Sequence, residues 1–176
     1  EDRKTDPALL AEAMMLPSEE YLSDQMEVVD IEGINAARNF VKKGLGRSLK
    51  NQIQARFDEL NDGAAYSKSS GAMARRSLKN VCLSYLLETP QGEASALAQL
   101  ERSDNMTDTL AALKGLVWAN AASADMALAD FEQKWKDDAL VMDKWFTIQA
   151  VKPGADTVDT VRKLMDHPAF SLTNPN

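Results

Sequence analysis

The chain has 176 residues and a formal net charge of −7, and 44% of it is aliphatic, aromatic, methionine or cysteine. That is enough for one domain with a substantial core, while eight glycines and six prolines exclude a collagen-like or low-complexity chain. The longest clearly apolar uncharged run, Gly115 to Ala124, is too short to cross a bilayer, so no membrane partner is expected.

Asp6-Pro7 reads as the start of a helix, with Asp as cap and Pro at the first helical position. The charged residues Glu1 to Asp6 before it do not resemble a signal peptide. Leu9, Leu10, Ala13 and Met14 follow at helical spacing and Pro17 ends the element; Ser18 caps a second, short helix through Leu22. Asp30 caps a longer one with Ile31, Ile34, Ala37, Phe40 and Val41 as its apolar stripe, and Gly44-Leu-Gly46 is expected to weaken or end it. The next helix spans about Arg47 to Leu60, directing Leu49, Ile53, Phe57 and Leu60 inward, and Asn61-Asp-Gly63 stops it. A polar loop to Gly71, the best candidate for mobility, precedes a strong helix from Ala72 to Glu88 with Met73, Leu78, Val81, Cys82, Tyr85 and Leu86 apolar.

Beyond Thr89-Pro-Gln-Gly92 come helices over Glu93–Arg102, from Thr107 as cap through Trp118, over Ser123–Lys136 with Met126, Leu128, Phe131 and Trp135, and around Trp145. Lys152-Pro-Gly154 stops that series, and a last helix covers Thr157–Met165. In Leu140-Val-Met-Asp-Lys-Trp-Phe-Thr-Ile-Gln-Ala150, Asp143, Lys144 and Thr147 share one narrow sector, and Leu140, Met142, Trp145, Phe146 and Ile148 occupy most of the rest, so this helix needs cover on two or more sides. No segment alternates with period two. The fold class is therefore all-α, and short helices with short loops imply antiparallel pairs stacked into a superhelical, solenoid-like array. The end at Asn174-Pro-Asn176, straight after Phe170, suggests an array truncated at its C-terminus.

Charge is uneven. From Arg38 to Lys79 there are ten Lys/Arg against three Asp/Glu, leaving ten against twenty-four elsewhere. With few interleaved aromatics and acidic surroundings, this predicts no nucleic-acid partner and favours a basic face meeting an acidic one. The single cysteine, Cys82, lies in an apolar helix as a small buried side chain, and no intrachain disulfide can form. The single histidine, His167, precedes Pro168 at a helix end; one histidine cannot supply the two or three that zinc hydrolases usually use.

Three stretches resemble one family in order along the chain: Ala11-Glu-Ala-Met-Met-Leu-Pro17, Ser103-Asp-Asn-Met-Thr-Asp-Thr-Leu-Ala-Ala-Leu113, and Leu140 to Ala150, followed by His167-Pro-Ala-Phe170 and Asn174-Pro-Asn176. Together they are similar to the C-terminal helical domain of the aminopeptidase N family, the zinc-dependent gluzincin aminopeptidases, in its bacterial, plant and apicomplexan branch. The resemblance implies that residues 1–176 are a single helical domain, the N-terminal part of that C-terminal domain. It implies a parent enzyme that removes N-terminal residues from peptides, with zinc held in a separate catalytic domain on H-E-x-x-H and a downstream Glu, and a G-x-M-E-N motif near the free amine. None of those motifs occurs here. The segment alone is expected to carry no catalytic or metal residue and no cofactor. Its partners are expected to be the catalytic domain of the same polypeptide and, through it, peptide substrates, in a cytoplasmic or organellar setting.

The candidate structural or domain-interface residues are Asp104, Asn105, Asp108, Asp143, Lys144, Trp145 and Asn174. Each also has a plain structural reading: Asp104, Asn105, Thr107 and Asp108 gather at a helix start, where side-chain acceptors meet free backbone N–H groups. Asp143 lies in a first turn, Trp145 reads as a core anchor, and Lys144 needs a carboxylate only if it is partly buried. A stand-alone helical interaction module is the alternative to a fragment of an aminopeptidase. An independent hydrolase has no nucleophile–base pair to rest on.

Overall fold

A computed structural model describes residues 5–174; the charged N-terminal start at residues 1–4 and the end of the Asn-Pro-Asn turn lie outside them. Among the described residues there are ten helices and no strand. They are α1 (Pro7–Met14), α2 (Glu19–Ser23), α3 (Ile31–Ser48), α4 (Lys50–Leu60), α5 (Ser70–Leu86), α6 (Gly92–Arg102), α7 (Met106–Trp118), α8 (Ala124–Trp135), α9 (Ala139–Ala150) and α10 (Thr157–Met165).

The starts obey local chemistry. Asp6 accepts from the N–H groups of Ala8 and Leu9, Ser18 from Tyr21, Asp30 from Gly33, Ser69 from Ala72 and Asp138 from Val141. Each satisfies a backbone donor that the first helical turn leaves without an intrahelical partner. The α7 start differs from expectation. Its cap is Asn105, whose Oδ1 accepts from the Asp108 N–H at 3.0 Å, while Thr107 lies inside the helix and is exposed.

The chain forms two compact units, one up to Ala112 and one from Leu113. In the first, α5 is the central element and packs against α1, α3, α4 and α6. Its Leu78, Cys82, Leu83 and Leu86 are fully enclosed, and each such leucine stabilises the unit by about 1.5–3 kcal/mol. In the second unit α9 packs against α8 and α10, burying Val141, Met142, Trp145 and Ile148.

Several expectations are corrected. Helix α3 runs through Gly44 and Gly46 to Ser48. Gly46 is there for packing: a Cβ at that position would lie 2.7 Å from the Tyr85 carbonyl oxygen of α5, so only glycine permits the approach. The α3 stripe faces outward except at Ile34; Ile31, Phe40 and Val41 are exposed. Met73, Met126 and Leu140 are also exposed, so α9 is covered over less of its surface than its composition suggests. The loop from Asn61 to Ser69, in the stretch read as the best candidate for mobility, makes side-chain hydrogen bonds to α5 and to the approach to α7.

The basic run from Arg38 to Lys79 finds acidic partners within its own unit. Arg38 pairs with Glu19, Lys42 with Glu88, Arg56 with Glu59, Arg75 with Asp62 and Lys79 with Asp108.

Candidate functional site

The most concentrated polar chemistry surrounds Asp108, in the first turn of α7. Its Oδ2 accepts from Lys79 Nζ at 2.7 Å and from Asn105 Nδ2 at 3.1 Å, and its Oδ1 accepts from Asn80 Nδ2 at 3.0 Å. Both Lys79 and Asp108 are buried. Gln99 of α6 is 2% exposed and completes the network, donating from Nε2 to Asn80 Oδ1 at 2.8 Å and to the Asp108 carbonyl at 3.0 Å. Gln99 Oε1 is buried without a hydrogen-bond donor among the described residues.

Asp104 extends the cluster outward. It accepts from Asn105 Nδ2 at 3.1 Å and from the Tyr66 N–H at 3.0 Å, so the loop is hydrogen-bonded to the approach to α7. These bonds, the Asn105 side chain first, hold the Asp104 carboxyl below its ordinary value. At the other end of the loop the Asp62 carboxyl is lowered, first by the Ala64 N–H and further by Arg75, which lies 2.6 Å away. Arg76 donates to the Ser67 carbonyl at 2.8 Å, and its guanidinium stands 4.8 Å from the Tyr66 ring centre. Between loop and helices lies a cleft of about 350 Å³.

The second unit carries the other candidates. Trp145 donates from Nε1 to the Leu128 carbonyl at 3.0 Å, and Trp118 to that of Ile148 at 3.0 Å, so two indoles join α9 to α8 and α7. The His167 ring lies 5.3 Å from both Trp145 and Phe146, and Phe170 meets Phe146 edge-on at 6.0 Å. His167 Nδ1 accepts from the Ala169 N–H at 3.1 Å, which leaves Nε2 as the protonated nitrogen donating to Glu132 at 3.1 Å. Asn174 Nδ2 donates to Asp143 Oδ1 at 2.9 Å. Lys144 is exposed, so the condition for a buried partner does not arise.

The structure thus brings Asp104, Asn105 and Asp108 together in one network and Asp143 and Asn174 in one contact, and uses Trp145 as an anchor. Three members of the Asp108 network, Lys79, Asn80 and Gln99, are missing from the sequence candidates. A signal existed: Lys79 stands three, four and seven residues before Cys82, Leu83 and Leu86, which places it on the inward face of α5.

Chemically, both Asp108 oxygens are occupied, so this carboxylate is a structural acceptor. Burial pushes the Cys82 thiol up to about 11, so it is not a nucleophile at neutral pH. No group of three His, Cys, Asp or Glu side chains among the described residues is arranged to hold a metal ion. His167 has both ring nitrogens engaged. The residues present do not fit a zinc site.

A protein-family model described as a domain of unknown function, DUF3458_C, with ARM repeats, matches residues 1–176. The chain belongs to this family. That description agrees with the all-helical fold and the solenoid-like array of helix pairs expected from the sequence. The chain is 39% identical over 165 residues to the aminopeptidase N of Haemophilus influenzae, covering 93% of this chain and 19% of that relative. It is 35% identical over 177 residues to the aminopeptidase N of Escherichia coli, covering 99% of this chain and 20% of that one. The crystal structure of Legionella pneumophila aminopeptidase A in complex with aspartic acid superimposes with a TM-score of 0.86 at 32% identity, over 99% of this chain and 22% of that one. These findings bear out the resemblance to the C-terminal helical domain of the aminopeptidase N family. The chain spans about a fifth of the length of the relatives it matches. No helix among the described residues is long and apolar enough to cross a membrane.

Proposed function

We propose that this chain is the non-catalytic helical domain of a zinc-dependent aminopeptidase that removes N-terminal residues from peptides, and that it covers the active site and limits access to it. The observation that carries the reading is the match of essentially the whole chain, at 35% identity, to a fifth of an aminopeptidase N. The partner is the catalytic domain of the same polypeptide. Zinc belongs there, where it would polarise the scissile carbonyl and activate water. The contribution of this segment is steric: a wall of packed helices excludes water and bulky substrates from the chemistry. The setting in this reading is cytoplasmic or organellar, consistent with a lone cysteine enclosed in a core.

The test uses the longest native polypeptide that contains this chain. Bound zinc, together with hydrolysis that requires a free peptide N-terminus, is the expected result. A metal-free, inert polypeptide overturns the enzymatic reading. The access role is checked separately, by comparing hydrolysis of a short peptide with that of a folded protein bearing the same exposed N-terminal residue. The short peptide should be cleaved and the folded protein spared; equal rates overturn that part alone.

A further inference from the structure

Helix α3 is amphipathic the wrong way round for a surface helix. Its half-buried inner side carries polar and charged groups that are paired within the unit. Asn35 and Arg38 both reach Glu19 Oε1 at 3.2 Å, and Lys42 reaches Glu88 at 3.1 Å. Its outer side is apolar. At 100° per residue, Gly33, Ile34, Ala37, Phe40, Val41, Gly44, Leu45 and Ser48 fall in a sector about 140° wide with no charged residue in it; Ile34, near one edge, is its buried member, and the others are exposed. Phe40 is 79% exposed, Val41 44% and Leu45 37%.

Gly44 adds an independent point. A glycine inside a helix is less stable than alanine by about 1 kcal/mol. Gly46 is explained by the Tyr85 carbonyl, yet a Cβ at Gly44 would meet nothing within 4 Å. Nothing among the described residues calls for its absence. Beside Phe40 and Val41, Gly44 leaves a notch that admits a close-packing element from outside.

We propose that the outer face of α3, centred on Ala37, Phe40, Val41 and Gly44, is a docking surface for a part of the parent aminopeptidase polypeptide outside residues 1–176, and that the surface it meets is apolar with an acidic rim. This rests on the reading that the chain is one domain of a longer enzyme. The relatives supply the occupant: four-fifths of their length lies outside the matched region, so a face open here can be internal there. The edge beside the sector carries Lys43 and Arg47, both exposed, which calls for carboxylates opposite. A two-fold contact with a second copy would instead bring the same basic edge into its own interface.

The experiment places p-benzoylphenylalanine at position 40, and separately Phe40→Cys, in the longest native polypeptide containing this chain. The photo-cross-link is expected within one polypeptide, to a residue outside 1–176. A link to residues 113–176, or a product of twice the mass, overturns the proposal. Maleimide modification of Phe40→Cys, read on the peptide containing position 40, is expected to be slower by about tenfold or more in the native protein than after unfolding, because a covered side chain reacts only through local opening. Equal rates overturn it. Zinc content and peptide hydrolysis are measured on the same preparations. An active enzyme with a freely labelled position 40 sinks the docking surface and leaves the enzymatic reading standing. A protected position 40 in an inert, metal-free polypeptide does the reverse.

Discussion

Asp108 shows how much one side chain organises. Its carboxylate is enclosed by a lysine and two asparagines, and its backbone by Asn105 and Gln99. Removing one partner of a buried ion pair leaves the other charge uncompensated, so Lys79→Met should destabilise by about 3–5 kcal/mol in urea unfolding. Adding Asp108→Leu to that variant should recover part of the loss. A double mutant as unstable as the sum of the two single mutants would show that the charges do not act as a pair. Asn105 is the better test of the cap. Asn105→Ala removes the acceptor for the Asp108 N–H and should destabilise by about 0.5–2 kcal/mol from capping alone, whereas Thr107→Ala should stay within about 0.5 kcal/mol. The reverse order would return the cap to Thr107. Asp104, Asn105 and Asp108 were legible as a helix-start cluster because cap chemistry is local. Lys79, Asn80 and Gln99 were not, because a polar residue reads as solvated until its neighbours one turn away are seen to be core.

Among the elements, the loop from Asn61 to Ser69 is secured by the Asp62 and Asp104 carboxyls, which their hydrogen bonds hold below the ordinary value in the folded chain. The sign follows from that direction. A group with a depressed folded pKa contributes stability that is fully present above its unfolded value and is lost as pH falls through the folded value. The loop should therefore stay pinned at neutral pH and loosen only below the usual carboxylate range. Protection of the Tyr66 amide from hydrogen exchange, followed against pH, is the measurement. Asp104→Ala should lower that protection at neutral pH and remove its acid transition; an unchanged profile would show that the Tyr66–Asp104 bond does not hold the loop. Helix starts were legible where a side-chain cap stands in the sequence, at Asp6 of α1, Ser18 of α2 and Asp30 of α3. Helix α3 was misread at both its end and its inward face. Gly46 looked like a terminator, since sequence cannot reveal the carbonyl lying against it. The outward stripe had the ordinary period of a core-facing one, and periodicity does not say which side the core is on.

For the whole molecule, the proposed function places the zinc chemistry in a part of the polypeptide outside this chain. The described residues hold no arrangement that fits zinc, and their one imidazole is spent on Glu132 and a backbone N–H. If the metal resides entirely in the rest of the polypeptide, stripping it must abolish hydrolysis without loosening this domain's own hydrogen bonds. Chelator treatment of the longest native polypeptide should remove activity while hydrogen exchange around Trp145 and His167, and around Lys79 and Asp108, stays as it was. Both clusters are closed by contacts within their own units, so neither draws stability directly from a bound ion. Readdition of zinc should restore hydrolysis and again leave those amides unchanged. Faster exchange at either cluster on metal removal would mean that the helical domain takes part of its stability from the metal, and the proposed role of a passive wall would be too narrow.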